Sequence, residues 1–249
     1  MKKKIILGLA AAGTAVTMIP LFAAFEAHVI NVTAKIENAL KVSAYELPFG
    51  TVFPQEKLDK TFNVQLSDSF VETGQNRADN VRYVIRQKPK CQSDDPQALV
   101  KHPQVTENVD GNFECPDGST MMPLLCPYLS KHEQTGDGTD NETGSGENDS
   151  AGINAFHGLP GPWTPATTVT NQVAGKLIKS LGDLSDTWNI DLKVPCFEDK
   201  CSQDWDAFVK TESGNPNINS DAYKADLDDE HEVFGCDLWL EVTEVSQNI

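Results

Sequence analysis

Apolar and polar residues alternate with a period of two along much of this chain, and that pattern restricts the fold more than any other feature. Val32, Ala34 and Ile36 alternate with Asn31, Thr33 and Lys35, and Phe62, Val64 and Leu66 with Thr61, Asn63 and Gln65. Val81, Tyr83 and Ile85 alternate with Arg82 and Arg86, with Val84 breaking the phase. Later, Trp188, Ile190, Leu192 and Val194 alternate with Asn189, Asp191 and Lys193, and Leu238, Leu240 and Val242 with Asp237 and Glu241. Side chains of a strand point alternately to its two faces, so each stretch writes an antiparallel strand with one buried face. Several half-buried strands need a covering layer, and a β-sandwich is the economical way to supply it. Helical periodicity is scarce. The expected fold is therefore all-β, a single sandwich domain over residues 28–249.

The first 27 residues read differently. Met1-Lys2-Lys3-Lys4 precedes an apolar run from Ile5 to Phe25, the layout of an export signal. The run is also nearly long enough for a retained N-terminal anchor, the one route by which this chain would touch a membrane. The net charge of −17 becomes −20 if Lys2, Lys3 and Lys4 leave with the segment. Such a field repels phosphate backbones and anionic lipid, which excludes nucleic acid as a partner.

All six cysteines follow the signal: Cys91, Cys115, Cys126, Cys196, Cys201 and Cys236. An even number in an exported chain reads as a disulfide framework. Cys196 and Cys201 share one short loop and are expected to pair with each other. One of Cys91, Cys115 and Cys126 then pairs with Cys236 or stays free. A zinc site is the competing reading, but close CxxC knuckles are missing.

Residues from about 89 to 165 form a long irregular insertion, rich in proline and holding three of the cysteines. Within it, the tract from Thr135 to Ser150 has no apolar residue to bury and reads as a solvated, disordered loop. Asp137, Asp140 and Glu142 there, and Asp226, Asp228 and Asp229 later, offer oxygen ligands for calcium. Neither segment has the order of acids of an EF-hand, and a solvated acidic loop is the plainer reading.

No GxSxG elbow and no HExxH occurs. His28, His102, His132, His157 and His231 are scattered, and beyond those calcium candidates no catalytic residue, metal ligand or cofactor site can be named. Trp188 is in phase with a core face. Trp239 is out of phase with Leu238 and Leu240 and points to the other side of its strand, toward a second layer, a partner or a ligand. Trp163 and Trp205 fall in segments read as loops. Sequons at Asn31, Asn141 and Asn148 matter only in a cell that glycosylates its exports.

The order of several phrases resembles the TasA–camelysin family of exported β-sandwich proteins. The apolar segment runs through Ala23-Ala24-Phe25-Glu26-Ala27 into Val29-Ile30-Asn31-Val32-Thr33-Ala34-Lys35-Ile36. Then come Leu47-Pro48-Phe49-Gly50-Thr51-Val52-Phe53-Pro54-Gln55-Glu56 and the strand Lys60–Leu66. The stretch Gly182–Pro195 and the closing Cys236–Val242 also look like phrases of such proteins. The resemblance skips the insertion, and the six cysteines depart from it. It implies a jelly-roll-like sandwich and, for several members, polymerisation into fibres of a biofilm matrix by donor-strand exchange. Here the donor would be roughly His28 to Lys41, with Val32, Ala34 and Ile36 as the assembly residues. The implied partners are other copies of the chain, head to tail, and other matrix or envelope proteins. The expected function is thus a non-enzymatic, structural one at the cell surface. The alternative is a monomeric displayed module that binds calcium or a glycan.

Overall fold

Two antiparallel sheets face each other in the computed structural model, which describes residues 36–72, 77–134, 152–159 and 162–247. The chain divides into two units, Met1–Glu37 and Asn38–Ile249, and the architecture below is that of the second. It begins with β1 (Leu40–Val42), β2 (Lys57–Leu66), a one-turn helix α1 (Asp68–Val71) and β3 (Asn80–Lys88). Four short strands follow: β4 (Cys91–Ser93), β5 (Thr106–Glu107), β6 (Phe113–Glu114) and β7 (Ser119–Met121). Next come β8 (Leu129–Glu133), α2 (Pro165–Thr170), β9 (Val173–Ile178), β10 (Ser185–Lys193), α3 (Trp205–Ser213) and β11 (Asp237–Ser246). The first sheet runs β1-β2-β10-β8 and the second β11-β3-β9. The protein is an all-β sandwich.

The alternation explains which faces meet. Phe62, Val64 and Leu66 of β2 and Trp188, Ile190 and Leu192 of β10 are buried against Val81, Tyr83 and Ile85 of β3 and Val173 and Leu177 of β9. Val84 breaks the phase because it lies on the other face of β3 and is also covered. Trp188, fully buried, packs edge-on to Tyr83 with ring centroids 6.5 Å apart. The indole Nε1 donates to the Tyr83 hydroxyl at 2.8 Å, and that hydroxyl donates to the buried Asp186 carboxylate. Burial first, and then the facing Asp186 charge, push the phenol well above its ordinary range.

Gly175 sits directly across from Tyr83 in the β3–β9 register. A Cβ there would collide with the ring and hydroxyl of Tyr83. Gly175→Ala is expected to destabilise the protein by about 1–3 kcal/mol through overpacking, measured as a lower urea midpoint at unchanged slope.

The chain crosses from the second sheet to the first through a tight turn. A single 3-10 turn, Lys179–Leu181, ends on Gly182 at φ 79°. Ile178 and Asp183 bridge across it. Only glycine enters the left-handed region without cost, so this corner accounts for Gly182.

Three expectations differ from what is observed. The strand expected over residues 28–41 is represented by β1 from Leu40 on; residues 28–35 lie outside the described residues, as does the tract 135–151. The insertion is less irregular than its composition implied. Cys91–Cys115 pins two small two-stranded sheets, β4-β7 and β5-β6, and β8 is a full member of the first sheet, paired with β10. Finally, Trp205 does not lie in a loop but opens α3 and is buried. It belongs to an aromatic group of the same core, in which Phe156 meets Tyr128, Trp205, Phe208 and Tyr223 edge-on at 5.5–6.1 Å.

The remaining disulfides are Cys126–Cys236 and Cys196–Cys201. The first joins the approach to β8 with the start of β11, where Leu125 N donates to Gly235 O at 2.9 Å and Gly235 N to Pro123 O at 2.8 Å. It therefore staples one sheet to the other. Three disulfides suggest an oxidising environment. Among the described residues no helix is long and apolar enough to cross a membrane.

Candidate assembly edge

An open sheet presents unpaired backbone donors and acceptors at its two outer strands, and these are where another chain can add. The four outer strands here are not equivalent. On one side of the sandwich, β8 is covered by a reciprocal bridge: Lys131 and Ile153 exchange two backbone hydrogen bonds of 2.8 Å. Lys131 then reaches across to Asn171, two residues before β9, at 2.7 Å. That side, bounded by β8 and β9, thus carries one bridged residue on β8 and one side-chain tie across the sheets, while no strand among the described residues pairs with the outer edge of β9.

The opposite side is bounded by β1 and β11. β1 pairs with only Val64, Gln65 and Leu66 of the ten-residue β2, and Ser43 N extends the contact to Asn63 O. From Lys57 to Phe62, no strand among the described residues pairs with the β2 edge that faces away from β10. Lys57, Asp59 and Lys60 put charge along this edge, the usual way of discouraging unwanted pairing. Lys57 is engaged by Glu212 of α3, which also holds Lys193 at 3.6 Å.

β11 is open in another sense. A register shift between Val242 and Glu244 places both Val242 and Val245 opposite the fully buried Tyr83 and Val81, on the core side. Yet Val242 and Val245 are 44% and 49% exposed. Their outward neighbours are well tied: Arg86 pairs with Glu241 at 3.2 Å, Arg82 with Glu244 at 3.5 Å and Lys90 with Asp237 at 3.4 Å. Trp239 does face away from the core, and the Lys88 ammonium lies 3.2 Å from its ring centroid. The outer face is thus a paired polar ladder, and the unfinished surface is the inner one.

The sequence-derived assembly residues are only partly visible. Val32 and Ala34 lie outside the described residues, and Ile36 is 93% exposed. Leu40, at the end of the expected donor, is buried in the core. Of the calcium candidates, Asp137, Asp140 and Glu142 lie outside the described residues. Asp226, Asp228 and Asp229 form a 3-10 turn in which Asp226 caps Asp228 N at 3.0 Å. Burial and the neighbouring acids Asp226, Glu232 and Asp228 raise the Asp229 carboxyl. Among the described residues no group of three or more His, Cys, Asp or Glu side chains is arranged to hold a metal.

A shallow depression of about 600 Å³ lies on the outer face of the first sheet, lined by Asp59, Lys60, Thr61, Gln134, Asn189 and Asp191. It contains neither a nucleophile–base pair nor an aromatic platform. His102 contacts Cys91 O at 3.0 Å, and the half-buried His157 lies between Asn154 O and Gln87. Sequence reasoning missed the buried Lys131 altogether, because Leu129-Ser130-Lys131-His132-Glu133 offers one apolar residue and no alternation. No family model matches this chain, and no curated protein and no solved structure is significantly similar to it.

Proposed function

We propose that this chain is an exported structural subunit of the cell surface or extracellular matrix, and that copies join head to tail by strand donation. The observation that carries this reading is the asymmetry of the sandwich. On one side β8 is bridged by Ile153 and tied by Lys131 to Asn171, while the other pairs a three-residue β1 with a ten-residue β2 and leaves core-facing valines of β11 half exposed. The segment from His28 to Lys41 has the alternation of a strand, with Val32, Ala34 and Ile36 on one face. Added to such an edge, it gives backbone hydrogen bonds along the sheet and apolar side chains toward the core. A head-to-tail contact of this kind does not close on itself and yields a filament. The resemblance to the TasA–camelysin family supports the same reading, as does a disulfide framework suited to an oxidising exterior.

Negative-stain electron microscopy of the purified exported protein, beside a variant trimmed up to Ile36 that keeps β1, tests the proposal. Filaments from the first and folded monomers from the second are the expected result. Folded monomers from both, across concentration, pH and calcium, overturn it and favour a displayed binding module.

A further inference from the structure

A strand added to a sheet brings backbone hydrogen bonds along its length and apolar side chains that need apolar surface to cover. The outer strands of the two main sheets offer that surface unequally. Among the described residues the outer edge of β9 is unpaired, yet its core-facing Val173 and Leu177 are already fully buried. β8 carries the Ile153 bridge, and its Leu129 is buried. On β2, the core-facing Phe62 is buried as well. β11 differs, because Val242 and Val245 stand opposite Tyr83 and Val81 on the core side and remain half exposed.

The contrast between β2 and β11 originates in the chain that joins β1 to β2. β1 runs antiparallel to β2, from Leu66 toward Val64, so residues 44–56 have to cover the length of the remaining β2 edge before Lys57. Ala44, Leu47, Phe49 and Val52 of this strap pack against the core, although no backbone–backbone hydrogen bond among the described residues holds residues 44–52. The β2 side of the core is therefore capped by the chain's own side chains. Lys57, Asp59 and Lys60 are also exposed along that edge, where charge discourages pairing. On β11 the acids are otherwise engaged. Asp237, Glu241 and Glu244 are held by Lys90, Arg86 and Arg82, which lie on β3 or two residues past it. From Asp237 to Ser246, no strand among the described residues pairs with the edge of β11 that faces away from β3.

We propose, building on the strand-donation reading, that β11 is the acceptor strand and that its occupant is residues 28–36 of a second copy, seated with Val32, Ala34 and Ile36 over Val242 and Val245. The alternation of the segment supplies the apolar face, and its nine residues match the ten of β11. Residues 28–36 contain no acid in a chain of net charge −17, and they bring Lys35 toward a strand that carries Asp237, Glu241 and Glu244. Ile36 is 93% exposed, so this end of the segment is not seated in the core of its own subunit.

A synthetic peptide of residues 28–36, with a photoreactive benzophenone side chain at position 34, tests the site. It is illuminated in excess with the full exported protein, and the adducts are mapped by mass spectrometry. Adducts centred on β11, between Val242 and Ser246, are the expected result. The double variant Val242→Lys, Val245→Lys should reduce them to the level of a scrambled peptide, with folding checked by its urea midpoint. Should that variant fail to fold, the wild-type map decides alone. Adducts between Lys57 and Phe62 instead overturn β11 as the acceptor and leave strand donation standing. No adduct beyond the scrambled control also overturns it. Microscopy of the same preparation then separates the two readings: filaments preserve strand donation, and folded monomers remove both.

Discussion

Replacing Cys126 and Cys236 together by serine lowers the unfolding free energy by about 4–5 kcal/mol. The bond spans 110 residues, and the entropy that a crosslink removes from the unfolded chain grows with the logarithm of the loop it closes. Enclosed within that loop are β8, β9, β10 and α3, so the unfolded ensemble released by its loss includes strands of both sheets. The same reasoning ranks the other two bonds. Cys91–Cys115 closes 24 residues and Cys196–Cys201 closes 5, giving about 3.5 and about 2 kcal/mol. Urea midpoints of the three paired Cys→Ser variants, compared under identical oxidising conditions, check both the size and the order. A Cys196–Cys201 variant more damaged than the Cys126–Cys236 one would show that chain entropy is not what these bonds supply.

Tyr83→Phe is expected to cost about 2–4 kcal/mol although it removes a single oxygen. That oxygen receives the Trp188 indole hydrogen and donates to Asp186 in the middle of the core. Without it, the buried Trp188 N–H loses its acceptor and the Asp186 carboxylate loses one of its donors, and a buried N–H without an acceptor costs more than the net worth of the bond. The pH dependence separates this from simple loss of packing. Burial and the Asp186 charge raise the folded phenol, so above about pH 10 the unfolded tyrosine ionises while the folded one does not. Wild-type stability therefore falls with pH in that range, and Tyr83→Phe should remove this share of the fall. Thermal or urea melts at pH 8 and at about pH 11 give the comparison. A variant that loses less than about 0.5 kcal/mol at pH 8 would mean that Asp186 and Trp188 find other partners.

Much of the sandwich was legible in the sequence because β2, β3, β10 and β11 each bury one face, and period-two alternation encodes that condition directly. Trp188 and Trp239 could be assigned to opposite kinds of face on phase alone. β8 was not legible. Ser130, Lys131, His132 and Glu133 carry no alternation, and the strand is specified by its pairing with β10 instead of by its own side chains. The short strands β4 to β7 are likewise held by a disulfide and hairpin bonds, which leave little hydrophobic signal. Phe156 was missed for another reason. It holds a left-handed φ of 61°, uncommon for a bulky residue, and the aromatic cluster that fixes it gathers Tyr128, Trp205, Phe208 and Tyr223 from distant parts of the chain. No local pattern can report such a convergence. Of the candidate edge, alternation marks residues 28–41 as strand-like, whereas the shortness of β1 and the exposure of Val242 and Val245 emerge only once register and burial are known.

The Cys126–Cys236 staple also bears on the order in which the molecule can be made. As the chain emerges from its N-terminal end, Cys91 and Cys115 meet early and Cys196 and Cys201 arrive together, but Cys126 must wait for nearly the whole remaining length before its partner appears. Throughout that interval it is a thiol eleven positions from Cys115, the nearer and wrong choice. The pairing of β4 with β7 sets Cys91 beside Cys115, so once those two strands have joined, the nearer competitor for Cys126 is already spoken for when Cys236 arrives.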